Sequence, residues 1–240
     1  DLEHPNTFVR DIQAVLHERG LWVLELSYLP TMLEMNSFDT ICHEHLEYYS
    51  LAALERLLAE HQLEVVDVTL NDINGGSFRI CVGHAGKVTA SPEAQARVQE
   101  LRLREFELGL DTDIPYAAFR NNIKKIRKDL LAFLKKAKAQ KKVVHGYGAS
   151  TKGNITLQYC GITPDLVSAI ADRNERKWGG STIGTNIPII SEAESRKQKP
   201  DYYLVLPWHF IEEFKRREKE FLARGGQFVL PMPTVHVVGK

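Results

Sequence analysis

The stretch Val143-Val144-His145-Gly146-Tyr147-Gly148-Ala149-Ser150-Thr151-Lys152-Gly153-Asn154 decides how this chain is read. Two β-branched residues lead into closely spaced glycines, then a hydroxyl pair, a lysine and a helix-compatible run over residues 155–159. Glycines at such a strand-to-helix turn let the backbone approach a ligand where a Cβ would intrude. The N–H groups and positive dipole end of the helix start then favour an anion. Lys152 adds a point charge suited to a phosphate. The next apolar run, residues 166–171, ends at Asp172, where a dinucleotide fold holds a ribose hydroxyl. The third glycine of G-x-G-x-x-G is missing: Thr151 stands in its place and Gly153 follows two residues later. Gly146, Gly148, Ser150, Thr151, Lys152, Asn154 and Asp172 are the candidate ligand-binding residues of a nucleoside-diphosphate site. A tight turn that binds nothing is the alternative.

Outward from this turn, the pattern is alternating. On its N-terminal side a long helix is expected from residue 117 to about 140. On its C-terminal side come strands at 166–171, 202–206 and 227–230, with a helix over 210–223. Strands and helices in such alternation argue a small parallel sheet. Earlier in the chain, Phe8, Ile12, Val15 and Leu16 have the spacing of an amphipathic helix over residues 6–19, stopped by Gly20. Strands follow at 21–26, 63–70 and 78–82, with a helix over 51–61 between the first two. That order is the closing half of an α/β sheet. Ser91-Pro92-Glu93 supplies a cap, a first-turn proline and an acid for a helix to about Gly109. Asp111, Asp113 and Pro115 read as a linker. The domains expected are therefore 1–88, a connecting helix and linker over 89–116, and 117–240.

Composition excludes several classes. The chain of 240 residues is 43% hydrophobic and 26% charged, with no apolar run near the ~20 residues that cross a bilayer. Lys+Arg and Asp+Glu balance at 31 each, so no global field draws it to nucleic acid or an anionic membrane. The lysines of residues 124–142 fall on a helical pattern and read as a solvated face. Cys42, Cys81 and Cys160 lack the spacing of a disulfide framework or zinc knuckle, which fits a reducing cytoplasm. The first residues carry neither an initiator Met nor a signal peptide, so the chain is expected to begin mid-protein.

A second chemical feature is Phe38-Asp39-Thr40-Ile41-Cys42-His43-Glu44-His45-Leu46-Glu47-Tyr48-Tyr49-Ser50, in the crossover after the first strand. An imidazole beside a carboxylate can act as a general base near neutral pH. His43 and His45 could instead share a metal, although H-E-x-x-H is absent and no third ligand stands out. A structural hydrogen-bond cluster is the remaining reading.

At these residues the chain resembles a known family. Phe38-Asp39-Thr40-Ile41-x-His43-Glu44-His45-Leu46-x-Tyr48, Gly75-Gly76-Ser77 and Gly146-Tyr147-Gly148-Ala149-Ser150-x-Lys152-Gly153-Asn154 are similar to motifs of the S-adenosylmethionine-dependent C-methyltransferases of nucleoside-diphosphate-linked deoxysugars. Asp172-Arg173-Asn174 with Lys177, Gly184-Thr185, Ile187-Pro188-Ile189, Asp201-Tyr202, Leu206-x-Trp208 and Pro231-x-Pro233 extend the resemblance along essentially the whole chain. The resemblance implies an α/β fold with a partial methyltransferase-type sheet followed by a small Rossmann-like doubly wound domain. It implies S-adenosylmethionine as cofactor, with the main binding loop in a preceding half that has no counterpart here, so the fragment is not expected to catalyse alone.

The family also implies roles. A nucleoside-diphosphate sugar is the partner, and an enolate formed beside its ketone attacks the sulfonium methyl. His45 matches the base, Glu44 its orienting or sugar-binding neighbour, and His43 and Tyr48 supporting groups. Gly75, Gly76 and the glycine-turn residues belong to the substrate side. No metal, nucleic acid or membrane is implied, and self-association through an exposed sheet edge is expected. Cys42 departs from the family, which carries Tyr before His43, and His209 stands where Asn follows the tryptophan. A nicotinamide-dependent oxidoreductase or a plain nucleotide-binding module stays open on the glycine turn and Asp172 alone.

Overall fold

Ser50, Ser91, Ser150 and Ser191 each accept the N–H of the third residue beyond them. Four helices thus start where a serine oxygen satisfies an orphan amide, worth about 1 kcal/mol apiece. The computed structural model describes residues 2–239. It divides into two units: residues up to Met35 with His43–Phe119, and Asn36–Cys42 with residues from Arg120 onward.

The first unit comprises α1 (Pro5–Val15), β1 (Trp22–Ser27), α2 (Leu29–Glu34), α3 (Leu51–Ala59), β2 (Leu63–Asn71), β3 (Ser77–His84) and α4 (Pro92–Leu108). Its sheet has the order β1-β3-β2, with β3 antiparallel to both neighbours. Phe78, Ile80 and Val82 alternate along β3 and are all fully buried, packing with Tyr28, Leu51, Leu54, Leu58, Val98 and Leu101. Buried Glu105 of α4 accepts the N–H groups of Leu51 at 2.5 Å and Ala52 at 3.0 Å. A carboxylate there meets the positive end of α3, so α4 is tied to α3 by charge as well as packing. α1 stops at Val15, four residues short of the expected end, because the His17 imidazole takes the Arg19 N–H and bends the chain into a turn closed by Gly20.

The boundary between units falls within α5 (Ile114–Ala139). Pro115 lies in the first turn of that helix rather than in a linker, a place where its missing N–H costs nothing. The second unit adds β4 (Val144–Tyr147), α6 (Thr151–Cys160), β5 (Ala169–Asp172), β6 (Ile189–Ser191), α7 (Glu192–Lys197), β7 (Tyr202–Val205), α8 (Ile211–Arg217), α9 (Lys219–Ala223), β8 (Gln227–Leu230) and β9 (His236–Val238). The strand order is β6-β5-β4-β7-β8-β9. The first five strands are mutually parallel, as expected, and β9 closes the edge antiparallel to β8. This is the doubly wound α/β arrangement.

Two expectations are corrected here. The strand expected over 166–171 is only Ala169–Asp172, since the amides of Leu166 and Val167 turn back onto the Thr163 carbonyl. The helix expected over 210–223 breaks at Glu218, which is 2% exposed. Its carboxylate is drawn inward by Arg196 at 2.5 Å and by the Tyr147 hydroxyl at 2.8 Å. Among the described residues no helix is long and apolar enough to cross a membrane.

Candidate functional site

β4 lies between β5 and β7. The chain leaves β4 through α6 to reach β5 on one side and later returns to β7 on the other. In doubly wound sheets the crevice beyond the strand ends at such a reversal is where ligands bind. The turns after β4 and β7 meet closely there. Gly148 has φ 85°, and a Cβ on it would stand 2.7 Å from the Pro207 ring. Both the backbone conformation and the approach of the two turns require glycine. Gly146 and Gly153 serve packing: added Cβ atoms would meet Ile170 Cδ1 at 2.3 Å and Leu206 at 2.9 Å. Gly146 is buried within β4, so its place is inside the sheet rather than at a ligand.

The turn itself is hydrogen-bonded internally. The Gly148 N–H donates to Ala171 O at 2.8 Å, Ala149 N–H to Asp172 Oδ2 at 2.6 Å and Ser150 N–H to Gly148 O at 3.1 Å. Ser150 Oγ caps α6 by accepting from Gly153 N–H. The amides of Gly148, Ala149 and Ser150 are thus taken up within the fold, so the expected anion would meet only the first turn of α6. Asp172 lines a cavity beside this turn and is also bonded within the fold. It is 7% exposed, and its second oxygen accepts from Asn174 N–H at 2.7 Å. Lys177 Nζ lies 3.7 Å from this carboxylate and donates to Ala149 O at 2.5 Å. Asp172 thus staples the turn after β4 to the turn after β5, and both its oxygens are engaged where a ribose hydroxyl was expected.

Beside these turns opens a cavity of about 320 Å³. Gly148, Ser150 and Asp172 line it, whereas Thr151, Lys152 and Asn154 do not. Its other walls include Arg173, Asn174, Lys177, Phe210 and Arg217. The cations are balanced: Arg173 stands 3.6 Å from Glu213, Lys177 beside Asp172, and Arg217 bridges Glu192 and Glu213. Phe210 leaves about half its surface open and offers an aromatic face. Arg217 and Phe210 carried no recognisable sequence signal, because their role depends on where the chain returns after β7.

Lys152 belongs to a different group. The turn Phe38–Thr40 packs on α6, with the Phe38 and Tyr159 ring centroids 5.0 Å apart. Asp39 on this turn is fully buried and accepts the Trp208 indole N–H at 3.0 Å through Oδ2. Burial raises the Asp39 carboxyl above the ordinary range, while Lys152 and Trp208 pull it back. Burial likewise lowers the Lys152 ammonium, and Asp39 and then Cys42 oppose that shift. His209 is pushed down to about 4 by burial and by Lys152, so it is neutral at pH 7. The Asp39 charge thus acts on Lys152 from a segment distant in sequence. Sequence reading quoted Phe38-Asp39-Thr40 and Trp208 as motif residues without foreseeing that Asp39 and Trp208 meet.

The histidine segment divides between units, with Phe38 to Cys42 in the second and His43 onward in the first. His43 and Glu44 are exposed, and His45 and Tyr48 are half-buried in a loop without helix or strand. Gly75 and Gly76 form the turn between β2 and β3, where a Cβ on Gly76 would stand 2.1 Å from Thr31. Gly76 O accepts from Tyr28 N–H at 3.2 Å, which makes this turn a support for the end of β1. Among the described residues no group of three or more His, Cys, Asp or Glu is arranged to hold a metal ion.

Known proteins with similar sequences complete the picture. Residues 72–233 match the C-methyltransferase C-terminal domain family. That span takes in β3 and nearly all of the second unit, and it leaves out the loop with His43 and His45. C-methyltransferase NovU of Streptomyces niveus is 36% identical over 227 residues, which cover 95% of this chain and 53% of that protein. The chain spans about half the length of the curated relative it matches.

Proposed function

The chain belongs to the C-methyltransferase C-terminal domain family, and on that premise we propose that it serves C-methylation of a nucleoside-diphosphate-linked ketosugar, with its second unit binding the sugar nucleotide. The observation that carries this reading is the cavity at the strand reversal, open between the turns after β4, β5 and β7 beside the capped start of α6. The cavity receives the nucleoside, with Phe210 as a stacking face, and the first turn of α6 faces the diphosphate. In the first unit, His45 takes the proton from the carbon beside the ketone, Glu44 orients it, and His43 and Tyr48 give polar support. The electron pair left behind is held as an enolate.

S-adenosylmethionine is the methyl donor of this reading and supplies an electrophilic methyl group when bound. The described residues of the first unit do not fit it. Their sheet has no parallel strand running through a glycine-rich turn into a helix, and Gly76 is closed off by Thr31. The roles assigned to this chain therefore lie on the sugar-nucleotide side. An oxidoreductase reading uses the same cavity, which Asp172 lines while accepting from Ala149 and Asn174, and differs in the ligand that the cavity takes.

Calorimetric titration of the 240-residue chain tests the binding claim. Uridine or thymidine diphosphate should bind and NAD should not; tight NAD binding with no diphosphate binding would overturn it. For the base, His45→Ala in a full-length enzyme should lower turnover by roughly 10²–10⁴-fold with a modest change in substrate affinity. Turnover near wild type would remove His45 from the role.

A further inference from the structure

In the cavity beside the glycine turn, Arg173, Lys177 and Arg217 each have a carboxylate next to them. A second cavity of the same unit, of about 380 Å³, is built the other way. It lies among α7, α8 and α9. Arg196, Lys199, Arg216, Arg217, Lys219 and Arg224 line it, with Glu218 and Glu220 as the acids. Glu218 is already engaged: it is 2% exposed and holds Arg196 at 2.5 Å and the Tyr147 hydroxyl at 2.8 Å. Arg217 turns to Glu192 and Glu213. Arg224 is fixed at the rim, donating to Pro200 O at 2.9 Å with its guanidinium 5.1 Å from the Phe221 ring centre. The side chains of Lys199, Arg216 and Lys219 make no ion pair or hydrogen bond among the described residues. Lys199, Arg216, Lys219 and Arg224 therefore share one concave space in which Glu220 is the carboxylate not otherwise engaged.

The chain as a whole balances 31 cationic against 31 acidic side chains, so this excess is local, and its self-repulsion opposes the compact state. Helix ends explain part of it. Arg216 lies in the last turn of α8, where a cation is favourable. Lys219 is the first residue of α9, the end where a cation is unfavourable. An anion in the cavity offsets the repulsion, and the planar forks of Arg216 and Arg224 suit paired phosphate oxygens. Pockets of roughly 300–1,000 Å³ take small ligands, which leaves room here for a short phosphate chain. We propose that this basic cavity binds a polyphosphate anion. Arg217 lines both cavities, yet the proposal does not require the nucleotide-sugar reading above.

Inorganic tripolyphosphate is the probe, titrated calorimetrically at pH 7 and about 50 mM salt, where screening is weak, into the 240-residue chain. Wild type should bind it more tightly than inorganic phosphate at equal ionic strength. Lys199→Gln and Arg216→Gln should each weaken binding about tenfold, the scale of one charge-assisted hydrogen bond. Both side chains are exposed and unpaired, so unfolding temperatures without the anion should match wild type, and either variant serves if the other fails to fold. Lys135→Gln removes the same charge from an exposed position on α5 and should cost under about twofold. Uridine triphosphate, run beside the bare anion, separates two sources of the same chemistry. Equal weakening in the two variants marks a site for the phosphate chain of a nucleotide, and no weakening marks a site for the free anion. Absence of tripolyphosphate binding, binding unchanged in both cavity variants, or an equal loss in Lys135→Gln would overturn the proposal.

Discussion

β1 and β4 both open a sheet, yet one is half covered and the other enclosed. Along β1, residues alternate between half-buried and exposed, and none is fully buried. Along β4 all four are buried. β4 has a hydrogen-bonded neighbour on each side, whereas among the described residues β1 pairs only with β3. The apolar residues Trp22, Leu24 and Leu26 of β1 pack on the core from one face, and Val23 is 55% exposed. The difference teaches that a strand's hydrophobicity does not settle its burial; the number of layers and neighbours around it does.

The largest expected effect tests that contrast directly. Leu204→Ala on β7, where the side chain is fully buried, should cost about 2–5 kcal/mol through lost contacts and a residual cavity. Leu24→Ala on β1 should cost only about 1 kcal/mol, because water already reaches the site. Urea unfolding followed by amide exchange in each strand separates the two units. Equal losses would break the comparison.

Next comes pH. His145 on β4 is fully buried, and its Nδ1 pairs with Ser195 Oγ at 2.8 Å. Burial pushes it down to about 4 in the fold, against about 6.5 in the unfolded chain. The unfolded state therefore binds the extra proton first as pH falls. Stability is fully present above about pH 6.5 and is lost between there and about pH 4, by about 3 kcal/mol for this group. Unfolding of the second unit from pH 7 to 4, compared with His145→Gln, should reveal that slope and its loss in the variant. Parallel curves for the two proteins would count against it.

A smaller effect sharpens the account of the glycine turn. Gly146→Ala places a methyl 2.3 Å from Ile170 Cδ1 and should cost about 1–3 kcal/mol by overpacking. Ile170→Val removes that atom, so the double variant should be less destabilised than the two single losses added together. Simple additivity would show that the methyl is accommodated elsewhere.

The smallest stability effect falls on the open edge. Val23→Lys on β1 should change stability by no more than about 0.5 kcal/mol, since the position is exposed. It should also reduce the association between copies of the chain expected at an unpaired edge. Sedimentation velocity over a concentration series checks this. A wild type that stays monomeric throughout would remove the edge from consideration.

Much of the frame was legible from local chemistry. Ser91-Pro92 and Gly109 mark the ends of α4, and the glycine turn at Gly148 announces a strand leading into a helix, because caps and positive φ are demands on neighbouring residues. The site was less legible. Asp172 looked like a ligand residue, and only the folded turns reveal that its oxygens hold Ala149 and Asn174. The run from Phe38 to Ser50 looked like one chemical segment, yet the fold assigns Asp39 and His45 to different units.

Alternation of apolar runs, the serine caps and the spacing of the glycines determined from sequence alone that this is an α/β chain with a glycine-rich strand-to-helix turn. Those signals are periodic or confined to a few residues, so they survive without knowledge of the fold. Tertiary structure alone decided that Asp39 meets Trp208 across 169 residues. It also decided that, among the described residues, β1 has a strand neighbour on one side and β4 on both. Both outcomes depend on which distant segments share a small volume, and a charge or an unpaired strand edge carries no local mark of its partner.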